Sequence, residues 1–479
     1  MKAHSFFWNR HLSFLYALTL LIAAYSALFT TFPLLLLFWS IYLMFLRKWS
    51  LLIILPFLFL YSLLPRLSAP PLGETRAIFS PSSLQKIETP FNTRYLYKGK
   101  LFLPSGSIRC TISYPDDSLP IGKLYVSGLL EERSPFSYQL KVHSATPLKT
   151  SFSLAAWRYE MKNRFRLLLE KLFSKEPRIA LFFFALTTGE LHDRFLRYQF
   201  GQLGLEHILG VSGFHFALLT SLFSLGFAFP YSKKKKIFLL LLLSTYYLFV
   251  GQSPAVERCW LVAMGYLISH LFQRPIAPIN LLSIAMIIEM LFDPLSIANI
   301  GFQLSFSSCF AIALFFPPIN ELLSLLWPKK RKSASLLLQP LFLCINALRS
   351  SLSLTIAVNI FLLPLLLFQT NAFPPLSIFY NLFYPFCADV ALLFLALTLL
   401  LYFLFPPLTC LILPLTHHLA SWLLDLAALP PLPFTTPLLA PSPPKFFLPV
   451  TFFLLLSLFA TYYYSKAKNK HSLEPGILL

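Results

Sequence analysis

The chain has 479 residues, of which 57% are hydrophobic and only 12% charged, with 51 Phe and a mean hydropathy of +0.68. A soluble globular protein is roughly 45–50% apolar and 25% charged, so that class is excluded and a polytopic α-helical membrane protein is expected. Lys and Arg number 39 against 19 Asp and Glu, a net charge of +20, and so apolar a chain must gather that charge where it meets water.

Runs long enough to cross the hydrocarbon core, roughly 20 apolar residues each, fall near 11–31, 32–46 and 50–65. After a polar interval they resume near 205–229, 237–251, 256–273, 276–292, 295–317, 351–369, 377–404, 408–429 and 446–464. This makes about twelve expected spans, some broken or re-entrant, because 38 Pro punctuate the chain and freed backbone groups need partners. The stretch 334–348 reads as interfacial. Basic residues in short loops stay cytoplasmic, and parity puts Lys2 with Arg10, Arg47-Lys48, Lys233 to Lys236, Arg274, Lys329 to Lys332 and the tail lysines on one side. Both termini are therefore expected in the cytoplasm, with the polar island after the third span outside. A cleaved leader is disfavoured, since two more spans follow closely and no small-residue cleavage site stands out. The resulting divisions are 1–66 (N-terminal spans), 67–150 (external β domain), 151–178 (basic interfacial helix), 179–464 (membrane core) and 465–479 (basic tail).

Within the island, 95–103, 107–114, 122–130 and 137–145 alternate apolar and polar residues, as in Ile108, Cys110, Ile112 and Tyr114 against Ser107, Arg109, Thr111 and Ser113. That is strand periodicity. Turn signals at Pro104-Ser105-Gly106, Pro115-Asp116-Asp117 and Glu131 to Pro135 separate the runs, so four or five short strands suggest a small barrel of the OB type. Residues 154–178 then place Leu154, Trp157, Met161, Phe165, Leu168, Leu169, Leu172 and Phe173 at helical spacing, with Arg158, Lys162, Arg164, Arg166, Lys171 and Lys175 mostly opposite. This is an amphipathic basic helix suited to a membrane surface. Residues 73–178 carry 17 Lys and Arg against nine Asp and Glu, a net of +8.

Such a basic module meets either anionic lipid or nucleic acid, for which exposed aromatics supply stacking platforms beside phosphate-neutralising cations. Candidate contacts are Tyr95, Tyr97, Lys98, Lys100, Arg109, Tyr114, Arg158, Lys162 and Arg166, with Tyr125 and Tyr138 further aromatic candidates; several of the tyrosines must be barrel core.

Inside a membrane, polar groups mark function or interhelical bonds. The string GLEHILGVSGFHFALL (204–219) places Glu206, His207, Ser212 and His215 among Gly204, Gly210 and Gly213. A nucleophile elbow would need Gly where Phe214 stands. His207 and His215 are eight apart with no HExxH, so a zinc site is not expected. The six Cys form no CxxC or disulfide framework, and no cofactor is implied. In GQSPAVERC (251–259) a turn precedes Glu257 and Arg258, where a guanidinium can snorkel, pair with Glu257 or meet phosphate. In NIGFQLSFSS (299–308) Asn299, Gln303 and Ser307 share one helical stripe.

Together and in this order, these strings resemble the membrane core of the ComEC family of competence DNA-uptake channels. Thr188-Gly189-Glu190 matches the family's leader, His207-Ile208-Leu209 with Ser212-Gly213-Phe214-His215 follows, Gly301 to Phe306 (GFQLSF) is intact, and Asn381 with Pro385 matches the late segment after Phe368-Gln369. The resemblance covers about 180–405, and the preceding OB-like island agrees with it. Where the family carries PS-x-x-RA, this chain has Ser253-Pro254 and Arg258-Cys259. Many members continue into a metallo-β-lactamase-like nuclease domain marked HxHxDH; no HxH occurs here, so nuclease activity does not carry over.

What the resemblance implies is a bacterial inner-membrane channel passing single-stranded DNA into the cytoplasm, with no catalytic residues and no metal. The expected pathway residues are His207, Ser212, Gly213, His215, Arg258, Gln303 and Ser305. Expected partners are single-stranded DNA, membrane lipid, a periplasmic DNA receptor, a separate nuclease, and a cytoplasmic motor or single-strand-binding protein. No Walker A string is present, so nucleotide hydrolysis would come from elsewhere. Two rivals stay open: a membrane enzyme using His207 or His215 with Glu206 as acid and base, and a small-anion transporter.

Overall fold

The computed structural model describes residues 2–29, 33–67, 69–89, 92–104, 106–114, 122–134, 136–148, 153–191, 193–226, 233–326, 339–370, 372–373, 375, 377–429, 438–439, 455, 458–459, 461–463 and 465–466. The chain opens with four helices, α1 (Lys2–Arg10), α2 (Leu12–Leu28), α3 (Pro33–Phe45) and α4 (Trp49–Leu67). Five strands follow, β1 (Gly73–Thr89), β2 (Asn92–Leu103), β3 (Gly106–Tyr114), β4 (Leu124–Ser134) and β5 (Ser137–Pro147). Next come α5 (Leu154–Leu172), α6 (Pro177–Thr188), α7 (Arg194–Gln202), a 3₁₀ turn at Glu206–Leu209, α8 (Gly213–Gly226), α9 (Lys233–Val250) and α10 (Pro254–Leu271). The remainder holds α11 (Pro278–Phe292), a 3₁₀ turn at Pro294–Ala298, α12 (Ile300–Leu326), α13 (Gln339–Thr370), β6 (Ala372–Phe373), α14 (Ser377–Leu404), α15 (Thr409–Ala427) and β7 (Leu438–Leu439).

The chain divides into two compact units. One comprises Met1–Arg66, Phe272–Leu382 and Pro437–Leu479; the other comprises Leu67–Leu271 and Phe383–Thr436. In the first, α2 packs against α11 and buries the small residues Ala17, Ala23, Ala24 and Ala27, a composition that lets helix backbones approach closely in lipid. Trp39 Nε1 donates to Thr19 Oγ1 at 3.1 Å, and Trp8 Nε1 to Tyr42 OH at 2.8 Å, satisfying polar atoms that lipid cannot.

In the second unit, the strands close a barrel in the order β1-β2-β3-β5-β4, with β1 also pairing β4 and only β3 and β5 running parallel. That is the OB-type arrangement expected from the alternating sequence. Alternation sends Phe79, Tyr95, Tyr97, Leu101, Cys110, Ile112, Val126 and Leu140 inward to one apolar cluster. Burying each such large side chain contributes roughly 1.5–3 kcal/mol. The strand not foreseen as a run is β1, which carries Pro81; the register against β2 shifts there, between Pro81 and Ser83, as a proline that cannot donate to the ladder requires.

Five helices are long and apolar enough to cross a membrane: Trp49–Leu67, Ile300–Leu326, Cys344–Gln369, Ser377–Leu404 and Pro406–Ala427. Shorter apolar helices include Leu12–Leu28, Pro177–Thr188 and Pro278–Phe292. The protein is multi-pass, while the expected count of about twelve full-length spans is not reproduced among the described residues. Late helix starts account for part of the difference: α8 begins at Gly213 where a span was expected from about 205, and Pro278 starts α11 at its first turn. The stretch expected to be interfacial at 334–348 differs as well, since from Gln339 it runs without a break into the span of α13. The expected span 446–464 lies largely outside the described residues.

Candidate functional site

The second unit brings the leader, the HILGVSGFH string, the GQSP turn and the basic helix together. Ser153 opens α5 by accepting from the Ala156 N–H at 3.3 Å. The face that α5 buries includes Ala155, Arg158, Lys162 and Leu169, so two of its cations point into the protein while Leu154 and Leu167 are exposed. Their partners explain this. The last carbonyls of α9 lack intrahelical donors, and Arg158 Nε donates to Leu248 O at 2.8 Å while Lys162 Nζ donates to Val250 O at 2.6 Å. Cations at a helix C-terminus also complement its dipole. Arg158 Nη1 reaches the barrel, donating to Ser82 O at 2.8 Å. Gly251 follows α9 at φ +96°, a conformation that L side chains rarely adopt, and a Cβ there would crowd Arg158 Nε at 3.1 Å.

Lys162 Nζ also pairs with Glu190 Oε1 at 2.6 Å, with the lysine side chain 6% exposed and the glutamate 20%. Burial pulls the Lys162 ammonium below its ordinary value, and the Glu190 carboxylate opposes that shift. The leader glutamate therefore locks the basic helix to the membrane part. Thr188 Oγ1 accepts from the Glu190 N–H at 3.2 Å, and Tyr246 OH of α9 donates to Thr187 O at 3.0 Å.

Ser212 and His215 form the start of α8. The His215 N–H donates to Ser212 O at 3.2 Å, the Ser212 N–H donates to His215 Nδ1 at 3.0 Å, and Ser212 Oγ lies 3.1 Å from Nδ1. This is the reciprocal side of a capping box with histidine in the place usually held by Glu or Gln. Gly213 opens the helix beside α10, where a Cβ would meet Cys259 Sγ at 3.6 Å. Arg258, 7% exposed, donates from Nη2 to that same sulfur at 3.4 Å. His207 is exposed on its 3₁₀ turn, and Glu206 Oε1 sits 3.2 Å from Arg197 Nε.

Gln303 and Ser305 belong to the other unit. Asn299 Oδ1 accepts from the Gly301 N–H at 2.8 Å to start α12. Gln303 Nε2 donates to Ile297 O at 2.7 Å and its Oε1 accepts from Gln369 Nε2 at 2.8 Å. The GFQLSF string and Phe368-Gln369 are thus joined by one side-chain amide pair. Ser305 is buried on the same helix.

On the barrel, Lys98 and Lys100 are exposed on β2, and Arg109, opposite Lys100, is exposed on β3. Tyr95 and Tyr97 are 4% and 1% exposed; both fill the barrel core and offer no stacking face, as does buried Tyr138. The side chain of Tyr114 lies outside the described residues. Of the tyrosine candidates whose side chains are described, Tyr125 reaches the surface, where it flanks Ile78 and, across β1, Phe102 in one exposed row. Arg166 Nε lies 3.5 Å from Glu170 Oε1. Among the described residues no cluster of three His, Cys, Asp or Glu is placed to hold a metal. Sequence reasoning missed the Lys162–Glu190 pair, the Gln303–Gln369 pair and Phe102; the first two carried a signal only as polar residues within separately noted strings.

The Competence protein family model matches residues 188–465, more than half of the chain. ComE operon protein 3 of Bacillus subtilis (strain 168) is 33% identical over 135 residues, covering 27% of this chain and 17% of that protein. The alignment therefore spans about one sixth of that relative's length. No solved structure matches. The family match begins at Thr188, beside the glutamate that holds Lys162, and takes in the α8 cap, Arg258 and the Gln303–Gln369 pair: the chain belongs to the Competence protein family.

Proposed function

We propose that this chain is an inner-membrane channel that passes single-stranded DNA into the cytoplasm during natural transformation, with both termini cytoplasmic and the barrel outside. The observation that carries this reading is the joining of a cation-bearing OB-type barrel to a competence-family core. Arg158 links barrel carbonyl and helix end, and Lys98, Lys100 and Arg109 stand exposed on the barrel beside the Tyr125–Ile78–Phe102 row. Exposed cations gather phosphates and release counterions, and aromatic faces hold unpaired bases. His207, Ser212, Gly213, His215, Arg258, Gln303 and Ser305 shape the pathway, whether by lining it or by fixing the helices that do. The chain has no nuclease role in this reading, so a separate nuclease, an external DNA receptor and a cytoplasmic motor or single-strand-binding protein act with it. Replacing Arg258 with Ala should abolish uptake of labelled DNA while the protein still inserts; normal uptake would remove Arg258 from the pathway.

One observation favours a membrane enzyme instead: Ser212 Oγ and His215 Nδ1 are within the reach of a nucleophile and base. The cap accounts for the same geometry. Turnover of a lipid-linked substrate by purified protein without DNA, lost in His215→Gln, would support the enzyme; retained DNA uptake in that variant supports the cap.

A further inference from the structure

The first 73 residues contain no Asp or Glu, and among them α2 and α4 are apolar helices. α2 packs on α11 of the same unit, while α4 makes only sparse contact with other elements. α4 reaches α11 where Tyr61 OH donates to Leu291 O. A groove of about 300 Å³ stays open between the three helices. Its lining includes Leu12 and Tyr16 of α2, Ile54 and Leu58 of α4, and Ile287 and Leu291 of α11. That volume lies at the lower end of ligand clefts. α4 is one of the helices able to cross a membrane, so the groove opens along a spanning helix, where hydrocarbon and not water is available to fill it.

One end of the groove is basic, because all three helices begin there. α2 follows Arg10, and α4 follows Arg47 and Lys48. Lys48 Nζ donates to Asn9 Oδ1 at 2.9 Å, and Asn280, in the first turn of α11, donates from Nδ2 to Arg10 O at 3.5 Å. Asn9 is a neutral partner, and the Lys48 ammonium keeps two further donors. Arg10 and Arg47 are exposed, and the Arg10 guanidinium stands 5.6 Å over the neutral Tyr463 ring. Of the unit's four acidic residues, Glu289 and Asp293 lie at the far end of α11. Glu321 is engaged by Lys466 and Tyr462, and Glu474 falls outside the described residues.

We infer that the groove seats an acyl chain of an anionic phospholipid whose phosphate is held at the basic end by Lys48, Arg10 and Arg47. The apolar lining takes the tail and the charge pattern selects the headgroup; basic pockets between spanning helices hold anionic headgroups in this way. The bound lipid fills the space that α4 leaves against α2 and α11. The site shares no residue with the barrel or the polar strings, and it stands whether or not the channel reading does.

The test purifies the full chain in detergent, offers phosphatidylglycerol and phosphatidylcholine at equal concentration, and counts bound lipid by native mass spectrometry. Wild type should retain phosphatidylglycerol in preference to phosphatidylcholine. Lys48→Gln should lower that preference about fivefold, and Leu58→Trp, which fills the groove, should abolish retention. Phe57→Trp, one residue away, 69% exposed and outside the lining, should bind as wild type. Phosphatidylglycerol with a diazirine on its acyl chain should crosslink to peptides of α2, α4 and α11 in wild type, which decides the matter if Leu58→Trp does not fold. Equal retention of the two lipids by wild type overturns the site, and so does wild-type retention in both Lys48→Gln and Leu58→Trp. A benzophenone placed at Tyr16 that captures another segment of this chain and no lipid also overturns it, since the protein itself would then fill the groove.

Discussion

Ser212 and His215 start α8 by satisfying each other's backbone, because the first N–H groups of a helix have no partner within it. His215→Gln keeps an acceptor at the same place in the box and should leave thermal stability within about 0.5 kcal/mol, whereas His215→Leu should cost about 1 kcal/mol; equal losses would show that the imidazole does something beyond capping. Cys110 makes a second residue-scale case. Burial in the barrel pushes its thiol up to about 12 from 9.0, so the folded state holds the proton more tightly than the unfolded chain. That contribution is complete below about pH 9 and is lost as pH rises towards 12. Alkylation followed by peptide mass spectrometry should find Cys110 unreactive at pH 8 until the barrel unfolds. The inward position of Cys110 was legible from alternation alone. The inward positions of Tyr95 and Tyr97 were not, because both faces of a strand accept tyrosine and only the register shows which one meets the core.

Among the elements, α5 departs most from its sequence. Hydropathy ranks Arg and Lys as outward, yet the carbonyl end of α9 needs donors, and Arg158 and Lys162 go to it. That demand arises from carbonyls 90 and 88 residues on, so nothing local in α5 announces it. Glu190→Gln leaves Lys162 buried beside a neutral amide and should cost about 2 kcal/mol, below the 3–5 of a fully buried pair because Glu190 keeps contact with water. Adding Lys162→Met should recover part of the loss, since both charges are then gone. The pH dependence has a definite sign. Without the carboxylate, burial and the neighbouring Arg158 charge act on Lys162 unopposed, the folded value lies further below the ordinary 10.5, and the folded state binds fewer protons than the unfolded one. Glu190→Gln should therefore gain stability relative to wild type as pH rises towards 10.5, read from melting curves; a loss over that range would contradict the pairing. The barrel, by contrast, was legible as an element, because one face of each strand meets water and the other meets the core; β1 escaped notice because Pro81 and its serines break the alternation.

At the scale of the molecule, apolar composition and basic loops identify a multi-pass protein without fixing how many helices cross, since helices such as α8 and α11 are shorter than a full span. The ordered polar strings were the more informative signal. They reappear as contacts, Glu190 with Lys162, Ser212 with His215, Gln303 with Gln369, so each string is kept by a physical need of the fold as well as by any need of the passage. Single-stranded DNA is a polyanion that cannot cross lipid bare, and the account stands on this chain supplying its route. The most direct test deletes the gene and follows radiolabelled duplex DNA into two compartments, scoring nuclease-protected single strands in the cytoplasm separately from duplex held outside the membrane. The account predicts that the outer pool persists or grows while the cytoplasmic single strands disappear, and that a plasmid copy of the gene restores them. Cytoplasmic strands at wild-type level in the deletion would contradict it.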